Sequence, residues 1–237
     1  MFDSISGREQ KLFSAKGRDA KRIFVHCLCL TLLLCVVSCG GEKHTKVFDD
    51  LEGAGGAPVK KGAKPEADAE AAVIDTDYGK IVIELYPNIA PKMVEQFKTL
   101  VSQHFYDGTA FHRVNPETGV VQGGDPNSRG DDTSKYGTGN SDLPNVPAEF
   151  SDIPFDRGIV GAARTQDINS ANCQFFITLK RVFDWDGQYT VFGKVIEGMG
   201  NAQIIAQAPT RPGSEIPADK IIIRSITLQP RANFKQD

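Results

Sequence analysis

The chain is poor in the residues that most often break bonds. Its 237 residues include only four histidines, His26, His44, His104 and His112, and these have no metal-ligand spacing. No nucleophile stands beside a matching base in any motif. Cysteine is scarce beyond the N-terminus: Cys27, Cys29, Cys35 and Cys39 lie in or at the end of one apolar run, and only Cys173 lies downstream. That distribution excludes a disulfide framework. Cys27 and Cys29 have the spacing of a zinc or redox pair, but an apolar run is the wrong setting for one. Positive charge is not in excess either. The formal net charge is −3, and no basic stripe carries interleaved aromatics, so nucleic acid is not an expected partner. Gly123-Gly124 is followed by neither a helix start nor a lysine in register, which excludes a phosphate loop. There are no internal repeats, and no metal or cofactor is expected.

What is present is a hydrophobic content of 40%, which suits a globular domain with a core, and enough length for one domain plus appendages. Lys16, Arg18, Lys21 and Arg22 precede the apolar stretch Ile23 to Ser38, in the order of a secretory signal. The stretch is shorter than the roughly 20 residues of a bilayer span. Its end, Val36-Val37-Ser38-Cys39-Gly40, resembles the lipobox of bacterial lipoproteins, which implies acylation of Cys39 and tethering of an exported protein to a bacterial membrane. The alternative is an uncleaved signal anchor. Gly53-Ala54-Gly55-Gly56-Ala57-Pro58 cannot build a core. The organisation expected is a signal peptide over 1–38, a flexible tether over 39–72, a folded domain over 73–229 and a C-terminal tail over 230–237.

Within the domain, Val73 to Thr76 and Lys80 to Leu85 read as strands about Asp77-Tyr78-Gly79. Pro91 opens a helix, with Met93, Phe97, Leu100, Val101 and His104 or Phe105 at helical spacing. Further strands are predicted over 111–114, 119–122, 159–163, 174–179, 190–195 and 221–228. The stretch 126–145 is predicted as a surface loop. A short helix over 198–208 is predicted to bury Met199, Ile204 and Ile205. Many strands with two separated helices indicate a mainly β fold, a closed eight-stranded antiparallel barrel capped by two α-helices.

Four motifs carry the function. They are Phe111-His112-Arg113-Val114, Gln122-Gly123-Gly124-Asp125-Pro126, the run Asn169 to Ile177, and Asp186 to Gly193. Together they place an arginine, two glutamines and several aromatics on strands able to converge on one shallow apolar pocket. In these motifs the chain resembles the cyclophilins, a family of peptidyl-prolyl cis–trans isomerases, over about residues 73–229. The resemblance implies that Arg113 is catalytic and that Gln122 and Gln174 line the groove. It implies that Ala163 supports the peptide backbone and that Phe176 walls the proline pocket, with His112 and Tyr189 beside them. Three features depart from the family pattern. Gly119, followed by Val120, stands where a phenylalanine is usual; an extra residue lies within Asn115-Pro116-Glu117-Thr118; and Asp184-Trp185 replaces an aromatic–leucine pair, Trp185 taking the leucine's place.

Arginine suits this chemistry. Rotation about an X–Pro bond breaks amide resonance and leaves the proline nitrogen with a free lone pair. A donor aimed at that nitrogen is worth more in the twisted state than in the planar one. Gln122 can hold a carbonyl on one side while the other side turns, and Phe176, Val120 and Trp185 can grip the ring. The partners expected are proline-containing segments of unfolded or exported proteins, met by a monomer. The alternative is a proline-peptide binding or chaperone module with weak or no turnover, the pocket being altered at Gly119 and Asp184. In that case Gly119→Phe would restore turnover.

Overall fold

The structure is a computed structural model that describes residues 53–234. The signal segment, Cys39 and the first part of the expected tether lie outside the described residues. The strands are β1 (Val59–Lys60), β2 (Glu70–Thr76), β3 (Gly79–Leu85), β4 (Arg113–Asn115), β5 (Val120–Gly123), β6 (Phe150–Ser151), β7 (Ile159–Ala162), β8 (Phe175–Thr178), β9 (Val191–Glu197) and β10 (Ile223–Pro230). The helices are α1 (Pro91–Ser102) and α2 (Met199–Ala206).

Eight strands form one antiparallel sheet in the order β10-β2-β3-β9-β7-β8-β5-β4. The barrel expected from the sequence is not closed. The edge strands β4 and β10 share no ladder, and between them lie only single bridges from Ala110 to Asp125 and Ile222. The reason is local. Ala110 gives its N–H to the Ser128 hydroxyl (2.8 Å), Thr109 Oγ1 bonds back to Tyr106 O (2.7 Å), and the strand predicted from Phe111 starts only at Arg113.

The inner face of this half-barrel packs on α1. Met93, Val94, Phe97, Leu100 and Val101 are its buried side, and they meet Phe111, Val121, Phe175, Ile177 and Phe192 in the main core. Proline at the first helical position costs no hydrogen bond. The helix stops at Ser102, short of the expected His104. There His104 turns left-handed (φ 56°), and His104 N and Phe105 N bond back to Val101 O and Leu100 O, both at 3.0 Å. In α2 the buried residues are Ala202, Ile205 and Ala206, while Ile204 is 51% exposed. Ala202, Ile205 and Ala206 stand at i, i+3 and i+4 and form the stripe that faces the core, and Ile204 falls outside that stripe.

Residues 53–69 are not the free tether that their composition suggested. β1 pairs in parallel with β6, Lys60 Nζ donates to Asn88 O (2.8 Å) and Ile89 O (3.2 Å), and Gly62 N donates to Asp152 Oδ2 (2.7 Å). Asn88 accepts from Glu66 N (3.0 Å) and donates to Lys64 O (2.8 Å). Ala54 N reaches Gly187 O at 3.1 Å, and Asp68 N reaches Leu85 O at 2.8 Å. The segment builds no core of its own. It is held by backbone and side-chain hydrogen bonds to a core already present. At the other end, β10 runs to Pro230, and Arg231 pairs with Glu84 (3.0 Å), so the start of the expected tail also belongs to the domain.

Candidate active site

The sheet register assembles the site. Arg113 on β4 lies opposite Gln122 on β5, Gln122 lies opposite Phe176 on β8, and Phe176 lies opposite Gly161 on β7. Directly paired residues share a sheet face, so the four form one row across four strands on the face away from α1. Gln174 and Ala163, two residues from Phe176 and Gly161, point the same way. Phe175, between Gln174 and Phe176, points into the core against Phe97 (5.9 Å, edge-on).

Polar contacts run along the row. Arg113 Nη1 donates to Gln122 Oε1 (3.3 Å), Gln122 Nε2 to Gln174 Oε1 (3.0 Å), and Gln174 Nε2 to Gly139 O (2.9 Å). Arg113 Nε donates to Glu215, whose other oxygen accepts from Asn115 Nδ2. Partial burial opposes the charge of Glu215. The hydrogen bonds from Arg113 and Asn115 and the Arg113 charge outweigh it, and hold the carboxyl below its usual range. Gln122, Thr138, Ala163, Arg164, Asn172 and Gln174 border a cavity of about 280 Å³ beside the row.

The apolar end is a separate cluster of Val120, Phe155, Phe176 and Val191, with Ala163, Trp185 and Tyr189 packed on it. Phe176 meets Trp185 at 4.9 Å and Tyr189 at 5.5 Å, both edge-on, and Trp185 meets Tyr189 at 5.1 Å. Phe176 is only 3% exposed beneath them. Tyr189 is braced by Arg164, whose guanidinium lies 4.6 Å over the ring and donates to Gln188 O and Thr165 O. Trp185 sits on a 3-10 turn (Phe183–Trp185), and Arg181 props that turn. Arg181 pairs with Asp186, reaches Asp156 (3.2 Å) and lies 4.3 Å over the Phe183 ring. Asp184 is exposed on the turn, so no aromatic covers that position.

Gly119 is a hairpin residue. Its φ is +76°, its N–H reaches Asn115 O (2.8 Å), and a side chain there would run into Lys180. The turn requires a glycine here, and Gly119→Phe cannot restore a pocket wall. The next residue, Val120, is fully buried in this cluster. His112 faces away from the row. It is 3% exposed, and neither ring nitrogen has a hydrogen-bond partner among the described residues. With Tyr136, Arg211, Ile216, Pro217 and Lys220 it borders a different cavity, of about 220 Å³. Burial pushes its pKa down; Asp125 and the Ala110 carbonyl pull it up, but neither meets hydrogen-bond geometry with the ring.

Residue-by-residue reading missed Glu215, Asn115, Arg164 and Gly161. Gly161 had a signal: a glycine within the apolar run 159–163 marks a close approach. A Cβ there would lie 2.6 Å from Phe176 Cε2 and 2.9 Å from Phe155 Cε1, so the Phe176 ring occupies the space that a side chain at 161 would fill. Cys173, beside Gln174, is fully buried, and burial pushes its thiol up to about 12.

A polarised row of arginine and glutamines ending in an aromatic pocket, with no nucleophile or base in it, is equipped to hold an amide and stabilise its twisting. The family model for cyclophilin-type peptidyl-prolyl cis-trans isomerases (CLD) matches residues 71–228. A probable peptidyl-prolyl cis-trans isomerase of Brucella suis is 42% identical over 177 residues, 73% of this chain and 88% of its own. The isomerase ppi1 of Schizosaccharomyces pombe is 37% identical over 65% of this chain and 97% of its own. A Cryptosporidium parvum cyclophilin-type isomerase, solved in the presence of the dipeptide Ala-Pro, superposes with a TM-score of 0.60 at 29% identity, covering 67% of this chain and 98% of its own. The chain belongs to the cyclophilin-type peptidyl-prolyl cis-trans isomerase family.

Proposed function

We propose that the protein accelerates rotation of X–Pro bonds in exported proteins, with Arg113 as the donor that stabilises the twisted amide. The observation that carries this reading is the row Arg113–Gln122–Phe176. Two of the guanidinium nitrogens are held by Glu215 and Gln122, while Nη2 has no hydrogen-bond partner among the described residues and is left to donate to a peptide. Gln122 and Gln174, already bonded to each other, hold the backbone on one side of the bond. The proline ring meets Trp185, Tyr189 and the edge of Phe176. A preorganised donor of this kind is worth about 3–4 kcal/mol in a transition state. The chain acts as a monomer, exported and bound through a lipid on Cys39 to the periplasmic or extracytoplasmic face of a bacterial membrane. Labelling with a radioactive fatty acid, present in the natural chain and absent in Cys39→Ala, tests the anchor.

The catalytic test is isomerisation of a short X-Pro peptide by the full chain in detergent, beside Arg113→Ala. A fragment begun at Val73 would cut β2 and discard residues 53–69, so it is the wrong reagent. Acceleration that falls about 10²–10³-fold in the variant supports the reading; folded protein without acceleration defeats it. One observation favours a second reading, a proline-peptide binder with slow turnover: Trp185 leaves Phe176 almost no free surface. Tight peptide binding without turnover would establish it.

A further inference from the structure

We infer that Glu215, which stands 102 residues along the chain from Arg113, is the positioning residue that aims the Arg113 guanidinium. The inference rests on the isomerase reading and adds a residue to it.

Three observations carry it. First, Glu215 takes the Nε–H of Arg113 while Gln122 takes an Nη1–H, so the planar fork is held on two sides and, among the described residues, Nη2 has no partner. An arginine held at one point still swings about its long stem; one held at two points does not. Second, Glu215 is itself fixed. Its second oxygen accepts from Asn115 Nδ2 on β4, two residues from Arg113, and Val114 N donates to Glu215 O at 2.8 Å. Side chain and backbone of Glu215 are therefore both tied to the strand that carries Arg113. Third, the segment that presents Glu215 is closed on itself. Arg211 N donates to Ile216 O (2.8 Å), Ala218 N donates to Pro209 O (2.7 Å), and Thr210 bridges Pro217. A turn fixed in this way keeps the carboxylate in place before a peptide arrives, which is what preorganisation requires. The held geometry is realised in the turnover step more than in binding, so its loss acts on kcat rather than on KM.

The experiment compares Glu215→Ala, Glu215→Gln, Arg113→Ala and the double variant Glu215→Ala/Arg113→Ala in the full chain, by peptide isomerisation and by the ¹⁵N NMR signal of the Arg113 Nε–H. Glu215→Ala is expected to lower kcat about tenfold with KM within about twofold. Glu215→Gln, which keeps an acceptor for Nε, recovers most of the loss and covers the case in which the alanine variant unfolds. The double variant matches Arg113→Ala, because a positioning residue has nothing left to aim. Unchanged kcat in a folded Glu215→Ala protein, or an equal further loss in the Arg113→Ala background, overturns the inference. If the natural protein turns over no peptide, the isomerase reading falls and the NMR signal alone judges the clamp. A slowly exchanging Nε–H that is lost in Glu215→Ala upholds it; an unaltered signal refutes it.

Discussion

Gly161→Ala tests whether the Phe176 ring depends on a missing side chain. The new Cβ would stand 2.6 Å from Phe176 Cε2 and 2.9 Å from Phe155 Cε1. Phe176 Cζ would be nearer still, and carbon atoms rest at about 3.5–4.0 Å, so the Phe176 ring must retreat by more than an ångström. Phe176 and Phe155 both belong to the cluster that carries Trp185 and Tyr189, and Phe155 is fully buried, so the retreat overpacks its neighbours. Overpacking of this kind costs about 1–3 kcal/mol. The displaced Phe176 also shifts the pocket, and a rise in KM of about tenfold corresponds to ~1.4 kcal/mol of lost peptide binding. Gly158→Ala is the control. Its φ is +90°, yet its would-be Cβ has no neighbour nearer than 3.7 Å, so its cost is backbone strain of about 1–3 kcal/mol with the pocket untouched. Urea unfolding and the KM of an X-Pro peptide are measured on both. Loss of stability in each, with KM raised only in Gly161→Ala, is expected. Normal KM and stability in Gly161→Ala, or an equal KM change in both variants, refutes the steric argument.

Arg181→Ala removes a partner of Asp186 and the prop under Phe183, and leaves Asp186 with the Phe155 N–H (2.8 Å) as its partner among the described residues. A loss of about 2 kcal/mol in urea unfolding and a change in Trp185 fluorescence are expected. His112 is buried with its pKa below the ordinary 6.5. As pH falls the unfolded chain therefore binds the proton first, so its contribution to stability is level above about pH 7 and declines below pH 6.5. Urea midpoints from pH 7.5 to 5.5 should show that slope in the natural protein and a flatter one in His112→Gln. Cys173 should resist alkylation in the native protein and react only in denaturant, as mapped by mass spectrometry of its peptide; native labelling would contradict its burial.

Much of the fold was legible because its signals are local. The short apolar, β-branched runs in 73–76 and 80–85, the Pro91 start and the 93–97–100–101 stripe each depend on a few adjacent residues. Closure of the barrel was not legible, since it turns on the Ala110 N–H, which goes to the Ser128 hydroxyl while the Ala110–Ile222 bridge stays single, and no sequence pattern marks that hydrogen bond. Arg113, Gln122 and Phe176 were found as members of motifs, and the register then put them in one row. Glu215 belongs to no motif, and residues 53–69 carry no hydrophobic pattern. Composition shows whether a segment can build a core, and is silent on whether it lies against someone else's.

The segment from Gly53 to Asp68 has a mechanical consequence. It is joined to the domain by a two-residue parallel ladder and a handful of polar contacts, whereas β2 is zipped to β3 and β10 along its whole length. Tension applied at Gly53 loads the weaker seam first. Peeling it off releases roughly 16 residues, which extended at ~3.3–3.6 Å each give roughly 55 Å of slack, while the row on β4, β5, β8 and β7 stays intact. The segment is stored reach: in a force-extension trace it would register as a short early step, well before the half-barrel gives way.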